Sequence, residues 1–434
     1  MNILEIIEKK RDKKELTKEE IGYFVKEYTN NNIPDYQAAS LVMAIYLNGM
    51  TNKETADLTL AMAHSGEILD LSRIKKPIID KHSTGGVGDK VSLVLLPLVA
   101  SFGIPVAKMS GRGLGFTGGT IDKLESIPGY QTNIDINTFV QNVENIGISI
   151  ISQTLNLAPA DKKMYALRDS IACVESIPLI ASSIMSKKIA SGAKEIVLDV
   201  TVGSGAFMEN EEDAKKLAHE MVEIGKKVDR RTVCLLTNMD EPLGHAVGNT
   251  LEVIEAINFL KGKKIEDLEE IVIQMGHHML LRAGQGKSFT ENKERLLRNI
   301  QNGKAYNKFI ELVQNQGGDI SYIKDTSKFE KSKYIEPVYA NKDGYVTRIN
   351  AKEVGKLACY LGAGRMKKDD KINPRVGVIL NKKVCDKVQK GEILGYIHSD
   401  DKEKLDNAII ELEKIVEISE NNVDKKPMLI GVLD

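Results

Sequence analysis

Apolar and polar positions alternate with a helical rhythm at the start of the chain. Ile3, Ile6 and Ile7 begin one apolar face, and Ile21, Phe24, Val25 and Tyr28 recur at the spacing that places side chains on one side of a helix. Thr17-Lys18-Glu19-Glu20 has the form of a capping box opening that second helix. The pattern predicts a third helix over roughly residues 35–48. Thr51-Asn52-Lys53-Glu54 caps a fourth, which carries Ala56, Leu58, Ala61 and Met62. These stripes read as core packing, with part of the surface open to a second subunit. Residues 157–193 again read as helical, so the helical part is expected to be assembled from two separated segments.

From Lys76 onward the rhythm changes. Pro77-Ile78-Ile79-Asp80-Lys81 is a short apolar run ending in a glycine-rich loop, residues 91–102 read as a buried helix, and Ile104-Pro105-Val106-Ala107-Lys108 is a second strand ending in a second loop. Strand, loop, helix, strand, loop is the grammar of a parallel sheet with ligands at the carboxyl ends of its strands. Residues 148–152, 195–200 and 233–237 supply further strands, the last after a helix around residues 213–228. Short strands return at residues 344–349 and 384–394, and the second of these is similar to half of a biotinyl or lipoyl barrel-sandwich. A carrier role there needs a lysine at a hairpin tip, Lys382 or Lys383; a capping subdomain is the expectation.

The expected fold class is α/β. A small helical lobe comes from residues 1–68 plus 157–193, and a larger α/β lobe with a central sheet from 72–156 plus 194–330. A C-terminal α+β, barrel-sandwich-like subdomain takes 335–434. Three chain crossings between the first two lobes leave a cleft that a hinge can close.

Composition narrows the function. The 434 residues are 42% hydrophobic and 28% charged, with 60 Lys and Arg against 61 Asp and Glu. This near-neutral balance argues against a dedicated nucleic-acid binder, so any anion site is local. Cys173, Cys234, Cys359 and Cys385 are scattered with no C-x-x-C pair, which suits a reducing cytoplasm better than a zinc site or a disulfide framework. No signal peptide and no apolar run of the ~20 residues that span a bilayer is evident, so a soluble, cytoplasmic protein without a membrane partner is expected.

The chemistry concentrates in the two glycine-rich loops. The first reads Lys81-His82-Ser83-Thr84-Gly85-Gly86-Val87-Gly88-Asp89, and the second runs Lys108-Met109-Ser110-Gly111-Arg112-Gly113-Leu114-Gly115, then Phe116-Thr117-Gly118-Gly119-Thr120. Each combines an ammonium, hydroxyls and closely approachable backbone N–H groups, which converge well on a small anion. Neither closes in the Gly-Lys-Ser/Thr of a P-loop, and no dinucleotide-type G-x-G-x-x-G follows a strand, which disfavours NTPases and NAD enzymes. A second constellation lies in Ala166-Leu167-Arg168-Asp169 and Ile180-Ala181-Ser182-Ser183-Ile184-Met185-Ser186-Lys187-Lys188. Ser183 and Lys187 are one helical turn apart, with Cβ atoms about 5–6 Å from each other. A solvated helix face would show the same spacing, but the surrounding apolar run is unusual for one.

These motifs closely resemble the pyrimidine-nucleoside phosphorylases, the thymidine phosphorylase group. The resemblance extends over essentially the whole chain. It includes Gly118-Gly119-Thr120-Ile121-Asp122-Lys123-Leu124-Glu125, Leu157-Ala158-Pro159-Ala160-Asp161-Lys162 and Val202-Gly203-Ser204-Gly205-Ala206-Phe207-Met208. It implies a homodimer and reversible phosphorolysis: pyrimidine nucleoside plus inorganic phosphate gives free base and (deoxy)ribose 1-phosphate, without an organic cofactor. By motif, Lys81, Ser83, Ser92, Lys108, Ser110 and Thr120 hold phosphate. Arg168, Ser183 and Lys187 bind the pyrimidine edge with His82 nearby, so His82, Arg168 and Lys187 are the candidate catalytic residues. Leu114, Ile180 and Phe207 wall the base, and Tyr165 lies near base or sugar.

Wording around residues 179–185 and 242–249 resembles the broad branch, which takes uridine, thymidine and 2′-deoxyuridine. A strict thymidine phosphorylase is the alternative, and an anthranilate-type phosphoribosyltransferase a more distant one. The resemblance also implies a potassium ion held by Gly88, a hydroxyl residue at position 90, Leu243, Ala246 and Glu255. Position 90 here is Lys90. Either its ammonium replaces the metal by pairing with Glu255 and nearby carbonyls, or it points to solvent.

Overall fold

The computed structural model describes residues 1–113, 116–154, 156–365 and 370–434. The first four helices are α1 (Ile3–Arg11), α2 (Lys18–Thr29), α3 (Asp35–Asn48) and α4 (Asn52–Ala63). Both capping boxes form: Thr17 accepts from the amide of Glu20, Thr51 accepts from that of Glu54, and each glutamate reaches back to the cap backbone. The apolar faces of these helices pack with Met164, Leu167 and Leu179 from the later helical segment into one cluster. Helical pieces separated in sequence therefore share a core.

The sheet region begins with β1 (Ile79–Ser83), α5 (Val91–Ala100) and β2 (Val106–Ser110), followed by α6 (Thr120–Glu125), α7 (Ile136–Ile146) and β3 (Ile148–Ser152). Every residue of α5 is buried, as its unbroken apolar run requires. The first strand starts later than its apolar run and carries Lys81, His82 and Ser83 within it. Parallel pairing with the next strand holds the chain extended as far as Ser83 opposite Asp199. After α8 (Pro159–Ser170) and α9 (Ile177–Ala190) the chain continues with β4 (Glu195–Val202), α10 (Glu211–Lys227) and β5 (Arg231–Asn238). Strands β1, β4 and β5 are parallel neighbours in that order, and β2 and β3 form a parallel pair beside β1. The Ile79 amide donates to the Pro105 carbonyl at 3.4 Å, where the two ladders meet.

A short β6 (Ala246–Val247) precedes α11 (Asn249–Leu260), α12 (Glu266–Arg282), α13 (Phe289–Gln301), α14 (Lys304–Asn315) and α15 (Ile320–Lys324). The C-terminal part contains β7 (Tyr334–Tyr339), β8 (Gly344–Ile349), α16 (Ala351–Leu361), β9 (Gly377–Leu380), β10 (Lys387–Val388), β11 (Ile393–Ser399), α17 (Lys402–Ile415), β12 (Val416–Ser419) and β13 (Leu429–Leu433). Among the described residues, two strand pairings stitch it to the core. Strand β6 pairs with β9, and β13 returns to lie antiparallel on β5. Lys382 is ion-paired with Glu392, and Lys383 lies 3.0 Å from Asp267, so both lysines are tied down rather than presented at a free hairpin tip. Among the described residues, no helix is long and apolar enough to cross a membrane.

Candidate active site

The carboxyl ends of β1 and β2 bring the two glycine loops together. Lys81 is fully buried, with its ammonium 3.5 Å from Asp199 and 3.9 Å from Asp89, yet among the described residues Nζ has no hydrogen-bond partner. A buried ammonium without a hydrogen bond is costly, so an acceptor brought to this point would be strongly favoured. Ser83 Oγ accepts from the Gly85 amide at 3.1 Å, tightening the turn. Gly88 has φ +74°, and a Cβ there would sit 2.5 Å from the Leu243 carbonyl oxygen, so glycine is required. Ser92 is buried in the first turn of α5.

Lys108 is also buried. Its ammonium donates to the Lys81 carbonyl and lies 3.6 Å from Asp80, whose other oxygen is 2.6 Å from Lys188. Burial, opposed by Asp80 and reinforced by the cations of Lys188 and Lys81, lowers its pKa to about 7. Ser110 ends β2, and Thr120 opens α6. The second loop folds back on itself: a Cβ on Gly119 would lie 2.1 Å from the Gly113 amide. Lys123 ties the loops together, donating to the Asp89 carbonyl at 2.6 Å and pairing with Glu252 at 2.7 Å. Leu114 lies outside the described residues.

The helical segment supplies the other wall. Ser183 and Lys187 share one face of α9, with Lys187 Nζ 3.0 Å from Ser183 Oγ and 2.7 Å from Asp161 of α8. Arg168 is buried. It donates to the carbonyls of Cys173 and Leu179 at 3.1 Å each and to that of Val174 at 2.5 Å. The guanidinium thus clamps the turn leading into α9 and fixes where Ser183 and Lys187 point. Its charge lies 5.8 Å from the Tyr165 ring centre. Ile180 is half-buried, and Phe207 is an exposed ring against Gly85. His82 retains a partial opening to solvent, but enclosure by protein and then the fields of Lys188, Lys108, Lys187 and Lys81 push its pKa well below the usual value. Its imidazole is neutral at physiological pH. That Lys187 is among these cations places the helical wall within electrostatic reach of the first loop.

Comparison with known proteins gives the chain a family. The family model described as "Glycosyl transferase family, a/b domain" matches residues 75–306, the helical bundle domain of the same family matches 4–66, and "Pyrimidine nucleoside phosphorylase C-terminal domain" matches 345–419. A pyrimidine-nucleoside phosphorylase of Staphylococcus epidermidis is 53% identical over 415 residues, spanning 94% of this chain and 96% of the relative. One from Geobacillus stearothermophilus is 51% identical over 430 residues, 99% of both chains. The chain belongs to the pyrimidine-nucleoside phosphorylase family. It is accordingly an enzyme of the phosphorylase class. A solved anthranilate phosphoribosyltransferase of Thermus thermophilus superposes with a TM-score of 0.59 at 19% identity, covering 72% of this chain and 99% of that one. That likeness shows a shared fold.

Several side chains around the candidate site were given no role by the sequence reading. Asp80, Lys188, Asp161, Asp199, Glu252 and Lys123 form the charged frame around the predicted ligands. One signal was available: Asp80 is a carboxylate inside an apolar strand, a place where an unpaired charge is not tolerated.

The residues implied to hold potassium also come together, but around a different cation. Lys90 is fully buried, and its ammonium lies 2.5 Å from the Leu243 carbonyl, 3.1 Å from that of Ala246 and 2.8 Å from Glu255. The solvent-facing alternative is thereby excluded. A potassium ion taking the same oxygens would have to occupy the point where Nζ sits, so the residues as placed do not fit the metal.

Proposed function

We propose that the chain catalyses reversible phosphorolysis of uridine, thymidine and 2′-deoxyuridine to the free base and (deoxy)ribose 1-phosphate, a step of pyrimidine salvage. The observation that carries this reading is the Lys81 ammonium, wholly buried, flanked by the second loop's Lys108 and without a hydrogen-bond acceptor among the described residues. Inorganic phosphate supplies that acceptor. In this reading Lys81, Ser83, Ser92, Lys108, Ser110 and Thr120 hold the phosphate as nucleophile near the sugar's C1′. Arg168, Ser183 and Lys187 meet the pyrimidine oxygens and nitrogen, with Ile180, Phe207 and Tyr165 around base and sugar.

Glycosidic cleavage leaves positive charge on the sugar and negative charge on the base. Phosphate offsets the first, while Lys187 and the guanidinium of Arg168 offset the second, as donors do in an oxyanion hole. His82, neutral in the resting site, gives a hydrogen bond to a pyrimidine oxygen, and the growing negative charge there makes its protonation easier. A homodimer is part of the proposal. Tyr36, Met43 and Leu47 expose apolar surface on α3, and Leu4 does so on α1, which packs against α3; a second copy covers such surface best.

The test is phosphate-dependent release of base from thymidine, uridine and 2′-deoxyuridine, with Arg168→Ala as control. The broad reading expects comparable turnover of uridine and thymidine that vanishes without phosphate, and a loss of about 10²–10³ in rate for the variant. Cleavage of thymidine alone moves the chain to the strict branch. Base release that proceeds without phosphate refutes phosphorolysis.

A further inference from the structure

The environment of Lys90 is built as a cation site. An ammonium has three N–H donors, and three acceptors converge on it: the carbonyls of Leu243 and Ala246 and the carboxylate of Glu255. Glu255 closes the arrangement by accepting from the amides of His245 and Ala246, each at 2.9 Å. Gly244 lies at the centre with φ +68°. A Cβ there would be 2.8 Å from both Lys90 Nζ and Glu255 Oε2, so the chain wraps the charge as closely as a backbone can.

The charge also sits at a junction. Lys90 caps α5, directly after Gly88 and Asp89. The Asp89 carbonyl receives Lys123, and its carboxylate faces Lys81. On the opposite side, the 242–246 loop runs into β6, which pairs with β9 of the C-terminal part. A second ammonium, Lys383, grips the same loop from that part, donating to the Gly244 carbonyl at 2.9 Å and pairing with Asp267 at 3.0 Å. The loop is therefore held between one cation from the phosphate loop's exit and another from the C-terminal unit.

We propose that Lys90 is a tethered substitute for a bound monovalent metal ion, holding the first glycine loop against the 242–246 loop so that the enzyme needs no added alkali cation. A covalently attached cation cannot dissociate, and its local concentration exceeds what any salt supplies, so the loop stays organised whatever ion the solution contains. The residue positions the loop and touches no substrate. The activity readout rests on the phosphorolysis reading, whereas the melting readout stands apart from it.

The experiment compares the full-length enzyme with Lys90→Ser and Lys90→Met in choline chloride and in lithium, sodium, potassium and caesium chlorides at matched ionic strength. Base release, phosphate KM and thermal melting are all recorded. The wild type is expected to show the same rate, KM and melting temperature in every salt. Lys90→Ser opens the cradle: it should lose about 10–100-fold in phosphate-dependent turnover in choline, the range typical of removing a group that orients site residues. Potassium should restore turnover and raise its melting temperature together, in a saturable and size-selective way. Lys90→Met fills the space without charge and should be rescued by no ion. A wild type that melts higher or works faster in potassium than in choline overturns the proposal, as does a Lys90→Ser enzyme fully active in choline. If no nucleoside is cleaved by the wild type, the phosphorolysis reading fails, and the melting series still decides the role of Lys90. If Lys90→Ser folds in no salt, the wild-type series alone decides it.

Discussion

Replacing Asp80 by Asn probes whether the buried lysines act as one anion-binding unit. Asp80 is fully buried, 2.6 Å from Lys188 and 3.6 Å from Lys108, and Lys81 follows it in the chain. Removing its charge leaves three buried ammonium groups with less compensation. At 3.6 Å and an effective dielectric of about 20, the lost attraction on Lys108 is about 4–5 kcal/mol, or roughly 3 pKa units. Lys108 already titrates at about 7. In the variant it would be neutral across the whole assay range, its protonated share at neutral pH falling from about a half to about one in a thousand.

In the wild type, raising pH through about 7 discharges Lys108, so phosphate should bind less well on the alkaline side. Asp80→Asn should raise phosphate KM by about 10–100-fold near neutrality, the upper end being limited by water entering the loosened site. Its alkaline limb should flatten, because little charge remains to lose. The assay is initial-rate kinetics against phosphate at saturating nucleoside from about pH 5.5 to 9, with circular dichroism to confirm folding. Breaking one partner of a buried pair costs about 3–5 kcal/mol, so the double variant Asp80→Asn, Lys188→Met serves as a control that removes both charges. A folded Asp80→Asn enzyme with wild-type phosphate KM and an unchanged alkaline limb would refute the reasoning.

Two further predictions address the opposite wall and the helical core. Asp161→Asn frees Lys187 from its 2.7 Å partner, so the ammonium is no longer aimed beside Ser183; kcat should fall about tenfold or more with phosphate KM little changed, and a fall confined to phosphate KM would contradict this assignment. Glu54 is buried, and although burial opposes its charge, the amides of Leu16 and Thr51 and the Lys10 ammonium hold its pKa below the usual value. Its contribution is therefore complete above the ordinary glutamate range and is lost as pH falls through the lowered pKa. Glu54→Gln should cost about 3–5 kcal/mol by leaving Lys10 buried and unpaired. Chemical denaturation at neutral pH measures that difference. The gap between variant and wild type should narrow in acid, and a constant gap down to about pH 3 would rule out the linkage.

What the sequence made legible was what is local. The boxes at Thr17 and Thr51 are specified within four residues, and both form where they were expected. The Ser183–Lys187 pair needs only helical periodicity to meet, and it does. The glycines of the two loops announce close backbone approach, which Gly88 and Gly119 make. Features that depend on long-range closure were hidden. Strand β13 is a five-residue run that pairs with β5 from nearly 200 residues further along the chain, so nothing local marks its partner. Asp80 and Lys188 are 108 residues apart, on β1 and α9, and meet as a buried ion pair that no spacing encodes.

Lys90 shows why a single residue type was insufficient. In isolation a lysine after Gly-Asp is compatible with solvent or with a buried partner, and the choice depends on where the chain returns 153 residues later to present the Leu243 carbonyl. Once that carbonyl, the Ala246 carbonyl and Glu255 converge, a cation at their centre is demanded by charge and desolvation together. The sequence position determines only whether that cation is borrowed from solution or carried by the chain. Here the chain carries it, and the loop beyond buried Lys81 is held by a group that no change of salt can remove.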